Sequence, residues 1–162
     1  MACRSHVKAL DSIKALYRTL IDLLSSQDMA LVLHSLRLLT ILAVNDPLER
    51  KLFNSGNINQ TFQLVFNLIS GVPQGDAGDE TLQNALDLLS DLARSPSILI
   101  ALSAFPELEP GLRHVVKALT RAPSSVGASL ALLSAVQLLA SLLGNPVLQR
   151  VIVHLMLVDQ PA

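Results

Sequence analysis

Three leucine-rich segments recur at a constant interval of fifty residues: SLRLLTILAVND at 35–46, ALDLLSDLARSP at 85–96 and AVQLLASLLGNP at 135–146. Leu38, Leu88 and Leu138 correspond, as do Leu39, Leu89 and Leu139, and Leu42, Leu92 and Leu142, while Leu36, Leu86 and Val136 lead each segment. Within a segment the spacing i, i+3, i+6 keeps these side chains on one helical stripe. Each segment stops at Asp46-Pro47, Ser95-Pro96 or Asn145-Pro146. A proline there ends one helix and suits the first turn of the next. A chain built this way folds by stacking, because no unit can cover its own apolar face and neighbouring units bury it.

A second match at the same offset, FQLVFNLI at 62–69 with LRHVVKAL at 112–119, gives each unit a middle helix. A short helix follows each proline, as in PLERKLFNS at 47–55. A break at Gly56 or Pro106 precedes the middle helix, and a polar loop precedes the long buried one. This order of short, medium and long helix is the armadillo pattern, slightly long for that repeat. The expected fold is all-α, a right-handed armadillo or HEAT-like solenoid of about three units of roughly fifty residues. Residues 1–162 read as one such domain, cut within a repeat at both ends and so a piece of a longer array. GVPQGDAGD at 71–79 and APSSVG at 122–127 read as loops, with Asp79 and Thr81 placed to cap the helix that follows.

Composition agrees. Hydrophobic residues make up 51% of the chain and charged ones 15%, which excludes intrinsic disorder. Aromatics are 3% and there are seven glycines, which favours packed helices over a turn-rich sandwich. A formal net charge of -1 gives no basic face for nucleic acid, so no direct nucleic-acid partner is expected. Cys3 is the only cysteine, which leaves no internal disulfide or zinc knuckle. MACRSHVKAL lacks the apolar core of a secretory signal, so the place expected for the chain is the cytosol or the nucleus. The charge-free stretch from Val126 to Leu143 is near the minimum length of a membrane span. The repeat offers neighbours that bury such a helix, and no membrane partner is expected.

Catalysis has no foothold. Asp87 and Asp91 lie one helical turn apart, but a metal needs three or four ligands and acid–base chemistry needs opposed groups around a pocket. The acids Asp76, Asp79 and Glu80 fail the calcium-loop pattern and read as a surface loop. His6, His34, His114 and His154 show no ligand spacing, and no nucleophile elbow, phosphate loop or dinucleotide fingerprint occurs. Neither an enzyme activity nor a cofactor is expected. The stack offers instead the groove lined by its long helices. Armadillo proteins that hold extended peptides carry there a tryptophan and, four residues on, an asparagine. The pairs here are Arg37 and Ile41, Asp87 and Asp91, and Gln137 and Ser141, which form no asparagine ladder. Arg37, Asp87, Asp91, Gln137 and Ser141 are therefore the candidate partner-binding face, with Lys14 and Arg18, four apart, as a second strip.

Several segments also resemble a specific family. SIKALYRTLIDLL at 12–24, KLFNSGNINQTFQLVFNLI at 51–69 and LDLLSDLARSP at 86–96 resemble, collinearly, the armadillo domain of the cancerous inhibitor of protein phosphatase 2A family. Tyr17, Arg18, Thr19, Lys51, Leu52, Phe53, Asn57, Ile58, the run from Gln60 to Leu64, and Phe66 carry most of the likeness. The loop at 71–79 and FPELEPG at 105–111 depart from it. The resemblance implies a non-enzymatic adaptor whose partners are a regulatory subunit of protein phosphatase 2A and DNA topoisomerase II-binding protein 1. A purely structural repeat segment and a membrane-associated helical protein are the alternatives.

Overall fold

The computed structural model describes residues 15–45, 55–73, 75–120 and 125–158. All the secondary structure among them is helical: α1 over 15–23, α2 Met29–Asn45, α3 Ser55–Ser70, α4 Asp76–Leu92, α5 Pro96–Ser103, α6 Leu108–Ala118, α7 Val126–Leu142 and α8 Pro146–Val158. The long helices α2, α4 and α7 are 17 residues each and contain the repeated apolar positions of the three segments, through Leu42, Leu92 and Leu142.

Helix starts follow local chemistry. Asp28 Oδ1 accepts from the backbone N–H groups of Ala30 and Leu31 and opens α2. Ser125 Oγ accepts from Ala128 N–H and opens α7. Asn145 Oδ1 accepts from Val147 and Leu148, and Pro146 follows it as the first residue of α8. These oxygens satisfy donors that the first turn of a helix leaves without intrahelical partners. Pro96 starts α5 in the same position after Ser95. The proline rule thus holds at 96 and 146, while Asp46-Pro47 and most of the short helix expected at 47–55 lie outside the described residues.

The loop expected at 71–79 is shorter than the sequence suggests. Asp76 to Asp79 already belong to α4, and Gly75 before them has φ 116°, a backbone conformation that favours glycine. The turn folds back so closely that a Cβ on Gly78 would overlap the carbonyl oxygen of Pro73. Asp79 therefore does not cap α4. The acids taken as a surface loop are helical, and Asp79 is buried.

The core runs through the whole stack. The most extensive helix contacts are α4 with α7 and α2 with α4, so the long helices form one row in which α4 is covered on both sides. Helix α3 packs against α4, α5 and α6, and α6 packs against α7 and α8, giving a second row behind the first. The two rows share one apolar cluster, with Leu36, Leu86, Leu88, Leu112, Leu138 and Leu148 among its fully buried members. Burying a side chain of this size stabilises by about 1.5–3 kcal/mol.

Aromatic residues fasten the second row. The Phe105 ring lies edge-on to Phe62 at 5.6 Å and stacked with Phe66 at 6.1 Å, tying the turn before α6 to α3. Gly111 lets α6 approach, because a Cβ there would stand 2.6 Å from the Phe66 ring.

Candidate functional site

Helix α4 is the middle of the first row, and its helical stripes have distinct neighbours. Thr81 Oγ1 donates to Met29 Sδ at 3.4 Å, which turns that stripe towards α2. Asp79 Oδ2 accepts from Ser125 Oγ at 3.4 Å, which turns another towards α7. Because side chains seven residues apart share a stripe, Leu88 follows Thr81 and Leu86 follows Asp79, and both leucines are buried. Glu80, Asp87 and Asp91 are among the α4 residues that remain partly exposed.

The candidate residues sit on these outward stripes. Arg37 is exposed on α2 and forms an ion pair with Glu80 of α4. That contact crosses between two long helices. With both side chains more than a third exposed, solvent screening keeps its worth to about 0–1 kcal/mol. Asp87 and Asp91 are partly buried one turn apart, and Arg94 approaches Asp91 at 3.7 Å from the following turn. Gln137 and Ser141 are exposed on α7, where the Ser141 hydroxyl donates to the Gln137 carbonyl at 3.0 Å. That hydroxyl is used inside its own helix. Positions 37, 87 and 137 therefore hold the same register on three neighbouring helices, carrying a cation, an anion and an amide. Arg18 is exposed on α1, and Lys14 lies outside the described residues.

Glu80 is the residue of this face that sequence reasoning missed. The signal was present, since Glu80 lies seven residues before Asp87 and eleven before Asp91, on one helical stripe. It went unread because Gly75 and Gly78 pulled the helix start too far along the chain.

His114, on α6, has its pKa lowered, first by burial and then by the positive charges of Lys117 and Arg113. Arg113 in turn meets Glu109 at 3.5 Å. Among the described residues no group of three or more His, Cys, Asp or Glu stands together as a metal site requires. A cavity of about 200 Å³ lies between the α1–α2 turn and the end of α3, lined by Leu24, Met29, Leu64, Leu68 and Val72 with Ser25 and Asn67. It falls short of the roughly 300–1,000 Å³ of a small-molecule site. Among the described residues no helix is long and apolar enough to cross a membrane.

The family model described as CIP2A, N-terminal, matches residues 1–160. That match takes in all three leucine-rich segments, both helix rows and the outward face of α2, α4 and α7. The chain therefore belongs to the CIP2A N-terminal family.

Proposed function

We propose that the chain is a non-enzymatic protein-interaction module, an armadillo-like solenoid segment that binds a regulatory subunit of protein phosphatase 2A in the cytosol or nucleus. The observation that carries this reading is the family match over residues 1–160. The row of α2, α4 and α7 supports the solenoid, since each long helix repeats the one before at the fifty-residue interval of the sequence. The contact face in this reading is the polar strip of Arg37, Asp87, Asp91, Gln137 and Ser141, with Lys14 and Arg18 as a second strip. DNA topoisomerase II-binding protein 1 is the second partner the family likeness brings, by the same kind of helix surface. A mixed-charge strip sets specificity and association rate more than raw affinity.

The experiment is a calorimetric titration of the purified, folded chain with the regulatory subunit, then with the charge reversals Asp87→Lys and Asp91→Lys. Saturable binding is expected, and each reversal weakens it severalfold while leaving the helix content unchanged. Absence of heat from a chain shown to be folded sinks the reading. Binding that ignores both reversals moves the contact off this strip.

A further inference from the structure

Three hydroxyl side chains stand three residues after an arginine: Thr40, Ser97 and Ser124. That spacing is the charge pattern by which arginine-directed serine kinases select an acceptor. Thr40 lies in the body of α2, where a kinase would have to unwind a 17-residue helix to reach it. Ser124 lies outside the described residues. Ser97 is placed differently. It is exposed in the first turn of the eight-residue helix α5, directly after the turn at 93–95, while Ile98 and Leu102 anchor that helix in the core. The first helical hydrogen bond of α5 runs from the Leu99 N–H to the Ser95 carbonyl at 3.0 Å. Opening residues 94–97 to a kinase therefore disturbs a turn and the first bond of a short helix, the kind of helix end that frays at least cost. The equivalent position in the next unit, Val147 of α8, is exposed as well, so the repeat itself turns this place outward. Ser95-Pro96 is also a proline-directed pattern, but Ser95 is only 6% exposed.

From this arrangement we infer that Ser97 is a phosphorylation site for an arginine-directed serine kinase, and that Arg94 holds the phosphate once it is in place. The γ-phosphoryl group of ATP passes to Ser97 Oγ. The new O–P bond forms as the bond from phosphorus to the departing ADP oxygen breaks, and the hydroxyl proton goes to the base of the kinase. The Arg94 side chain is 67% exposed and its contact with Asp91 is long, at 3.7 Å, so little holds it back from a phosphate carrying about −1.5 to −2 charge. A guanidinium paired with a phosphate makes the stronger, charge-assisted kind of hydrogen bond. The Ser95 hydroxyl, 3.0 Å from that of Ser97, adds a donor, and the first turn of a helix favours negative charge. The modification thus places new negative charge just beyond the end of α4 that carries Asp91, at the border of the polar strip. The inference rests on the turn between α4 and α5 and is independent of the phosphatase reading.

The test incubates the purified, folded chain with ATP and calcium/calmodulin-dependent protein kinase II, which selects an arginine three residues before its acceptor, and locates the phosphate by fragmentation mass spectrometry. The expected result is near-complete phosphate on Ser97, taken up roughly tenfold more slowly or worse by Arg94→Gln and absent from this segment in Ser97→Ala. Ser95→Ala should be phosphorylated at Ser97 within about twofold of the parent rate. Arg94 and Ser97 are exposed, so their variants should keep the helix signal and melting of the parent. The phosphorylated chain should melt level with the unmodified one or about 1–4 °C higher. A folded chain that takes phosphate only at Thr40 or Ser124, or none at all, overturns the inference. Phosphate on Ser95 in place of Ser97 also overturns it, as does phosphate that reaches Ser97 only after the chain has been unfolded by heat. A phosphorylated chain that melts several degrees lower overturns the role given to Arg94.

Discussion

Asp79, buried in the first turns of α4, accepts a hydrogen bond at 3.4 Å from Ser125, the residue that caps α7. The acid thus lies beside the N-terminal end of a neighbouring helix, where negative charge is favoured. A Cβ on Gly127 would stand 3.4 Å from that of Asp79, so the two helix starts are in close contact. Ser125→Ala removes the cap and should cost about 0.5–2 kcal/mol. Asp79→Ala removes a buried charged acceptor and should cost about 1.5–3 kcal/mol. The O–H···O distance is long, so the coupling between them should be only about 0.5 kcal/mol. Urea unfolding of both single variants and the double variant measures it, and strict additivity would mean that the two side chains do not communicate.

Gly111 lies where α6 meets the Phe66 ring. Replacing it with alanine improves helix propensity by about 1 kcal/mol and forces a methyl against a ring fixed by Phe105. Overpacking of this kind costs about 1–3 kcal/mol. Gly111→Ala should therefore lower stability or leave it level. A variant that melts several degrees higher would mean that Phe66 has room to turn.

Leu86 and Val136 hold equivalent places in the repeat and opposite burial. Leu86→Ala leaves a cavity between α4 and α7 and should cost about 2–5 kcal/mol. Val136→Ala, at an exposed position, should change stability by less than about 0.5 kcal/mol. Thermal unfolding of the two variants decides whether the equivalence sets the burial or the neighbours do. A large loss at Val136 would show that its side chain is packed and not exposed.

Much of this architecture is legible from leucine spacing. The stripe through Leu86, Leu89 and Leu92 and its counterparts fifty residues to either side marks three long helices, and Pro96 and Pro146 start α5 and α8 where the sequence places them. What spacing cannot give is which neighbour covers a leucine. Leu38 and Leu88 are identical in pattern and differ in exposure because, among the described residues, only the second has a long helix behind it. The start of α4 was misread for a different reason. Gly75, Gly78 and the aspartates there are turn residues by local preference, and the packing of Asp79 against α7 overrides that preference. The outward acids Asp87 and Asp91 were found by their spacing, whereas Glu80 was hidden by the same misplaced boundary. The cation that meets it, Arg37, could not be assigned a partner from the sequence, since the two residues lie far apart along the chain on different helices.

His114 gives the fold a pH dependence of defined sign. Its folded-state pKa lies below the ordinary 6.5 because burial, then Lys117, then Arg113 disfavour the imidazolium. Above pH 6.5 the ring is neutral in both folded and unfolded chains, and its contribution is fully present. As the pH falls below 6.5 the unfolded chain takes up the proton first, so stability drops with pH until the folded-state pKa is passed and then levels. His114→Asn should flatten that part of the profile without changing stability much at pH 8. Lys117→Gln, which removes one of the two repelling cations, should make the drop shallower. Unfolding midpoints of the parent and both variants between pH 8 and pH 5 measure this, and parallel profiles for all three would show that His114 titrates alike in the folded and unfolded chain.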